Sequence, residues 1–214
     1  MKKYELTDET LKIGSITLHR VKSLVAFAGV EVGETGGWVE KEDNLDQNGN
    51  AWVCGDAWVC GDAWVYGNAK VYGDAWVCGD AWVYGDAWVC GDAWVCGDAW
   101  VYGNAKVYGD ARVYGDARVC GDAWVYGNTH YMAIAPIGSR DDSITFTRNK
   151  DGSIFATVGC FHGALPEFRA KVMETHGNTV HAQAYLLAAQ LAELRIDTTP
   201  IKADPEEPVE ESHE

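Results

Sequence analysis

From Ala51 to Asn128 the chain repeats one pattern of small apolar and variable positions, Ala-x-Val-x-Gly-Asp/Asn, thirteen times without a gap. The first four residues of each hexad alternate, which is the period of a strand. The last two are turn chemistry, because Gly reaches positive φ without a Cβ clash and Asp or Asn can bond its own backbone. Each hexad therefore predicts one short strand and one corner, and three of them close an 18-residue coil. Coils stacked at ~4.8 Å make a rod of roughly four and a third turns, about 20 Å long. A helix is excluded, since Val-x-Gly every six residues fits no 3.6-residue period and Gly would break it. Three strands around one axis leave a narrow interior, so Ala and Val fill it and the variable pair faces out.

Stacking every eighteenth residue sorts the outward positions into columns. The leading slot of the first face reads Trp52, Lys70, Trp88, Lys106, Trp124, an alternation of ring and ammonium that the layer spacing turns into a cation–π series. The second face reads Trp58, Trp76, Trp94, Arg112, with His130 in the next layer; Cys60, Cys78, Cys96 and Tyr114 fill its trailing slot. The third reads Trp64, Trp82, Trp100, Arg118, trailed by Tyr66, Tyr84, Tyr102 and Cys120. Nine Trp and seven Tyr in these 78 residues make a surface of the kind that stabilises stacked strands. Where such a surface is exposed it also marks a partner site.

Residues 1–50 predict a β cap, with Ile13–Val21 pairing with Tyr4–Lys12 and Asp43–Asn50 as an imperfect first repeat. Caps of this sort cover a solenoid's open edge. Past residues 51–128 the pattern dissolves, and 129–196 predict a small ββαα module. Its strands are Ser143–Arg148 and Ser153–Phe161 around the turn Asn149–Gly152. Pro166 opens a helix closed by His176-Gly177, with Phe168, Val172 and Met173 along one side. Asn178 caps a second, running to about Leu194, whose buried stripe is Tyr185, Leu186, Ala189 and Leu194. His130, Arg140, Asp141, Asp142, Arg148, Cys160 and His162 form a candidate cluster around the hairpin. Residues 197–214 read as an acidic, disordered tail. The fold class is thus an all-β solenoid with a β cap and a C-terminal α+β module.

Charge narrows the partners. Seventeen Lys and Arg against 32 Asp and Glu leave a formal −15, which disfavours nucleic-acid backbones and anionic membranes. No segment approaches the ~20 apolar residues of a membrane span, and no secretory signal follows Met1-Lys2-Lys3, so the expected compartment is the cytoplasm. There the seven Cys stay free thiols. The column Cys60/Cys78/Cys96 points in parallel, which suits neither a disulfide nor tetrahedral zinc. Ten Asp and three Asn at thirteen corners approach the charge spacing of duplex DNA, about one per 1.7 Å. Straight columns interrupted by Lys and Arg fit turn caps better than a DNA mimic. No metal or cofactor set is expected.

The hexad resembles the hexapeptide repeat of the left-handed β-helix superfamily, that of trimeric acyltransferases and γ-class carbonic anhydrases, which implies a left-handed hand. Gly36-Gly37-Trp38-Val39-Glu40, Asn44-Leu45, Gly49-Asn50-Ala51-Trp52-Val53, Pro136–Arg140 and Gly159-Cys160-Phe161 extend a resemblance over most of the chain. It is to uncharacterised prophage and bacterial hexapeptide-repeat proteins, often labelled transferase or ice-structuring. The residues support neither label. The coils hold no His and no loop insertion for acyl transfer, at most His130 where carbonic anhydrases need three His, and no Thr for ice-ordering hydroxyl rows. The expectation is a non-enzymatic structural or interaction protein of phage type. It is a capped rod that docks a protein partner or self-associates as a dimer or trimer. One alternative is a protein that binds or sequesters planar, nucleotide-like molecules through Trp and Tyr with Lys70, Lys106, Arg112 and Arg118. Another is an acyltransferase whose site forms at subunit boundaries from His130 or the C-terminal module.

Overall fold

A computed structural model describes residues 1–199, so the acidic tail expected from 197 lies, beyond Thr199, outside the described residues. The chain opens with an antiparallel hairpin, β1 (Tyr4–Ile13) and β2 (Ile16–Ser23). Ile13 ends the first strand instead of opening the second, because Gly14 at φ +61° and Ser15 form a tight two-residue turn. β3 (Thr35–Val39) then pairs antiparallel with β2 on one side and parallel with Trp58–Val59 on the other. The rod's first rung is therefore Trp38-Val39, well before the repeat begins, and Leu45 bridges in parallel to Val65. Gly36-Gly37 permits this approach. A Cβ on Gly36 would lie 2.5 Å from Val53 O, and one on Gly37 2.7 Å from Ala57 O.

Thirteen two-residue strands follow, β4 (Trp52–Val53) to β16 (Trp124–Val125), one per hexad. They stack into three parallel sheets in which each residue meets its counterpart eighteen positions on, as Trp58 meets Trp76 and Val59 meets Val77. The result is a parallel β-solenoid of about five coils. Ala and Val of every repeat are enclosed, at 0–1% exposure, so each coil hides three Val side chains at about 1.5–3 kcal/mol apiece. The corners need Gly twice over. Gly79 sits at φ +71°, and a Cβ there would lie 2.9 Å from Gly97 N in the next layer.

One corner column is softened by amides. Asn50 Nδ2 donates to Asn68 Oδ1, Asn68 Nδ2 to Asp86 Oδ1, and Asn104 Nδ2 to Asp122 Oδ1, each at 3.0 Å. A donor thus stands where a second carboxylate would repel the first.

The C-terminal module caps the far end. It holds four antiparallel strands, not the two expected: β17 (Tyr131–Ile137), β18 (Asp142–Arg148), β19 (Ile154–Val158) and β20 (Phe161–Ala164), in that spatial order. The expected strand Ser153–Phe161 is split by a turn at Gly159-Cys160. α1 (Leu165–His176) and α2 (Val180–Arg195) cover the sheet around Phe146, Phe168 and Tyr185. Thr179, not Asn178, caps α2, its side chain accepting from Ala182 N. Met173 and Leu194, expected inside, are 44% and 84% exposed. α2 instead packs through Ala182, Ala188, Ala189 and Ala192, whose small side chains let the backbone come close.

Side chains of the module, with Asn128 from the last hexad itself, complete the last coil's open edge. Thr145 Oγ1 accepts from Arg118 N (2.9 Å), Asn128 Oδ1 from Arg112 N (3.0 Å), and Ser143 Oγ donates to Asp116 O (3.0 Å). Backbone groups that would otherwise template another chain are satisfied. Among the described residues no helix is long and apolar enough to cross a membrane.

Candidate functional site

The second face carries a continuous aromatic stack. Trp58 and Trp76 lie 4.4 Å apart at 16°, and Trp76 and Trp94 4.6 Å apart at 4°. Parallel in-register strands place each indole over the one below, because the layer spacing is close to the ring-stacking distance. Trp38 extends the column in register. Arginine closes both ends, Arg20 sitting 4.3 Å from the Trp38 ring and Arg112 4.9 Å from Trp94. Arg20 went unnoticed in the sequence because it belongs to the cap hairpin and not to the eighteen-residue register.

The third face is a double file. Trp82 stacks on Trp100 at 5.1 Å and 3°, while Tyr66, Tyr84 and Tyr102 stack beside them at 4.8 and 5.0 Å. Arg118 caps Trp100 at 5.3 Å. Trp64, at the N-terminal end, turns its ring edge-on to Trp82 and lies on Tyr66 instead. It is 37% exposed, and the Trp rings above it are half-buried, flanked by the layers on either side.

The first face forms the alternating series read from the sequence. Lys106 Nζ lies 4.5 Å from the Trp88 ring and 4.8 Å from Trp124, and Lys70 Nζ lies 5.5 Å from Trp88. It is less open than expected. Trp52 and Trp124 are buried, at 4% and 6% exposure. Phe27 and Tyr4 of the cap meet Trp52, and Lys150 of the module lies 4.6 Å from the Trp124 ring. Neither indole is offered to a ligand.

The candidate C-terminal cluster does not converge. It divides into three groups. His130 does not continue the Arg112 column, because Gly127, alone among the hexad glycines, does not take the positive-φ corner; its ring lies 3.8 Å from that of Tyr126. It is buried with Arg148, whose guanidinium stands 5.5 Å from the same Tyr126 ring. Burial and then Arg148 hold His130 below its ordinary pKa, against the pull of Asp197, so its 3.9 Å approach to Asp197 is a contact of a largely neutral ring. A buried imidazole is also poorly placed for surface acyl transfer. Arg140 lies 3.8 Å from Asp142 and beside Gly159, and Asp141 holds the turn at φ +50°. His162 joins neither group. Its Nδ1 meets Cys120 Sγ at 3.3 Å and Thr157 Oγ1 at 3.0 Å, a cluster across the seam that the sequence did not signal. Cys160 is an exposed thiol.

In the Cys60/Cys78/Cys96 column the middle thiol is the acidic one, since hydrogen bonds from Cys60 and Cys96 favour its thiolate, and the outer two are held up by the same contacts. Among the described residues no group of three His, Cys, Asp or Glu is arranged to hold a metal ion. At the C-terminal end of the second face a cleft of about 400 Å³ is lined by Arg112, Tyr114, Asn128, Tyr131, Met132 and Ala133.

A family model described as YdcK Beta solenoid repeat matches residues 105–121 and 111–127, the last coils, where Lys106, Arg112 and Arg118 interrupt the Trp columns. None of the curated proteins matches the chain. Coils and match together define a β-solenoid repeat protein, an architecture that fits a structural or interaction role.

Proposed function

We propose that this protein is a non-enzymatic docking rod of the hexapeptide-repeat, phage-associated type, acting in the cytoplasm, whose third face receives a protein partner. The observation that carries the reading is the double file of Trp82/Trp100 and Tyr66/Tyr84/Tyr102. It is rigid, stacked in register, half open and closed by Arg118. Trp, Tyr and Arg are the residues that dominate binding energy at interfaces, and rings already fixed by stacking lose little entropy on docking. Capture from host lysate on wild type and on Trp82→Ser/Trp100→Ser tests this. The wild type is expected to retain a partner that the variant loses, and identical retained sets would sink the proposal.

A second reading draws on the cleft beside Arg112. Its volume of about 400 Å³ lies within the range of small-molecule sites, and Tyr114, Tyr131 and Arg112 suit a planar anionic ligand. Tryptophan fluorescence titrated with nucleotides reports on it through Trp94, and an unchanged spectrum across the series would remove it.

A further inference from the structure

α2 is apolar on two opposite faces. Toward the sheet it buries Ala182, Tyr185, Ala188, Ala189 and Ala192. On the far side Val180, Leu187, Leu191 and Leu194 are 71, 65, 45 and 84% exposed. With half-buried Ala184 their spacing is 4-3-4-3, which draws one straight stripe along the helix. A helix apolar on both sides is characteristically covered on both. Roughly 400 Å² of Val and Leu on one helix is as large as the largest apolar patch of a typical monomer.

The stripe is symmetric. Leu187 stands at its middle, Val180 seven residues before it and Leu194 seven after. A second α2 laid antiparallel across it, about a two-fold axis through Leu187, sets Leu187 against its own copy and Val180 against Leu194 of the other. Gln183 of one copy then faces Gln190 of the other, amide to amide, with donors and acceptors on both. The helix dipoles oppose, and no charged residue lies in the stripe. An isologous contact of this kind closes at two copies.

We infer that α2 is a homodimer contact whose occupant is the α2 of a second copy of this chain. About 400 Å² from each copy, ~800 Å² in all, lies below the ~1,200–2,000 Å² of stable specific interfaces and among weak, transient ones, so the dimer is weak and reversible. The contact is on the C-terminal module and does not depend on the aromatic faces. Dimerisation leaves those faces open and gives each assembly two of them, so a partner with repeated epitopes is held by avidity.

Light scattering of the full chain across a micromolar concentration series tests this, with Leu187→Glu as the variant. The wild-type mass is expected to rise from one chain to two. Leu187→Glu sets two carboxylates on the axis and holds the mass at one chain, with an unchanged far-UV circular dichroism spectrum. In a Cys160→Ser background, oxidised Leu187→Cys is expected to give a disulfide-linked dimer. Val180→Cys is expected to cross-link with Leu194→Cys in a mixture but not with itself. A monomer at every concentration overturns the inference. So does a trimer, a dimer that Leu187→Glu leaves intact, or a failure of Leu187→Cys to cross-link. Loss of the dimer in Trp82→Ser/Trp100→Ser but not in Leu187→Glu would move self-association to the third face and overturn it equally, while leaving partner capture to be judged on its own experiment.

Discussion

His162 Nδ1 lies 3.3 Å from the Sγ of Cys120, joining β20 to the last coil of the rod. The pair holds the C-terminal module against the solenoid. Its hydrogen bond to Cys120 raises His162 above its ordinary pKa, outweighing burial. Burial pushes the Cys120 thiol up, but hydrogen bonds with His162, Thr157 and Tyr102 prevail and lower it. For His162 the sign follows directly. The folded state favours the protonated ring, so its contribution to stability is complete below the unfolded value of 6.5 and is lost as pH rises through the raised folded value. Cys120→Ala removes the leading cause and leaves desolvation, opposed by the smaller pull of Asp122, so the His162 pKa measured by NMR is expected to drop below 6.5. A His162 titration that does not move in Cys120→Ala would show that the two groups are not coupled.

The corner glycines offer a graded test of the same seam. Gly115, Gly79 and Gly121 share φ values of +62°, +71° and +64°, so Ala pays the same left-handed cost at each, about 1–2 kcal/mol. Only space differs. Nothing among the described residues lies within 4 Å of a Cβ on Gly115, whereas one on Gly79 meets Gly97 N at 2.9 Å and one on Gly121 meets His162 Nε2 at 2.6 Å. In urea unfolding Gly115→Ala is expected to lose least and Gly79→Ala most, because backbone cannot step aside and a side chain can. Gly121→Ala is expected to fall between them and to lower the His162 pKa by displacing the ring. Equal losses at all three would mean that φ alone sets the cost.

Stacking should make the middle of a column worth more than its end. Trp76 has an indole on each side, at 4.4 and 4.6 Å, while Trp64 has only Tyr66 in parallel contact and lies 37% exposed. At about 0.5–1.5 kcal/mol per aromatic pair beyond area, Trp76→Ala is expected to cost about 2–3 kcal/mol in chemical denaturation, and Trp64→Ala, which loses one stacked and one edge-on pair from a more exposed position, about 1–2. Similar losses would show that the columns act as separate rings and not as a stack.

The rod was readable because its period is six and its core is monotonous; every Ala and Val fell where the pattern put it. What escaped detection lies where that period stops. Trp38 belongs to the first rung but lacks the Gly-Asp corner that flags a repeat. His130 was projected eighteen residues on from Arg112, a step that holds only while the corners continue. Cys120 and His162 are 42 residues apart, and a lone His beside a turn carries no mark of the thiol it meets. α2 misled for another reason. It has two apolar stripes, and helical period cannot tell which faces the sheet; the Ala-rich one does, because it fits closest.

Arg148 is fully enclosed at the far end of the rod. It has 0% exposure, and among the described residues Nε, Nη1 and Nη2 have no hydrogen-bond partner. The Tyr126 ring at 5.5 Å and the charge of Asp197 are its compensation. A cation–π contact is worth about 2 kcal/mol when desolvated, against a desolvation penalty of several kcal/mol for a buried ion. On these magnitudes Arg148→Met, which keeps the volume and drops the charge, is expected to be neutral or stabilising in urea unfolding. Arg148→Ala instead leaves a cavity and is expected to cost about 2–5 kcal/mol. A second readout is His130, whose pKa burial and Arg148 hold down. Because the folded state disfavours the protonated ring, stability falls as pH drops from 6.5 toward the lowered folded value. Arg148→Met should raise the His130 pKa and narrow that window. If Arg148→Met loses more than about 2 kcal/mol, the guanidinium is better compensated than Tyr126 and Asp197 allow, and the account of this corner fails.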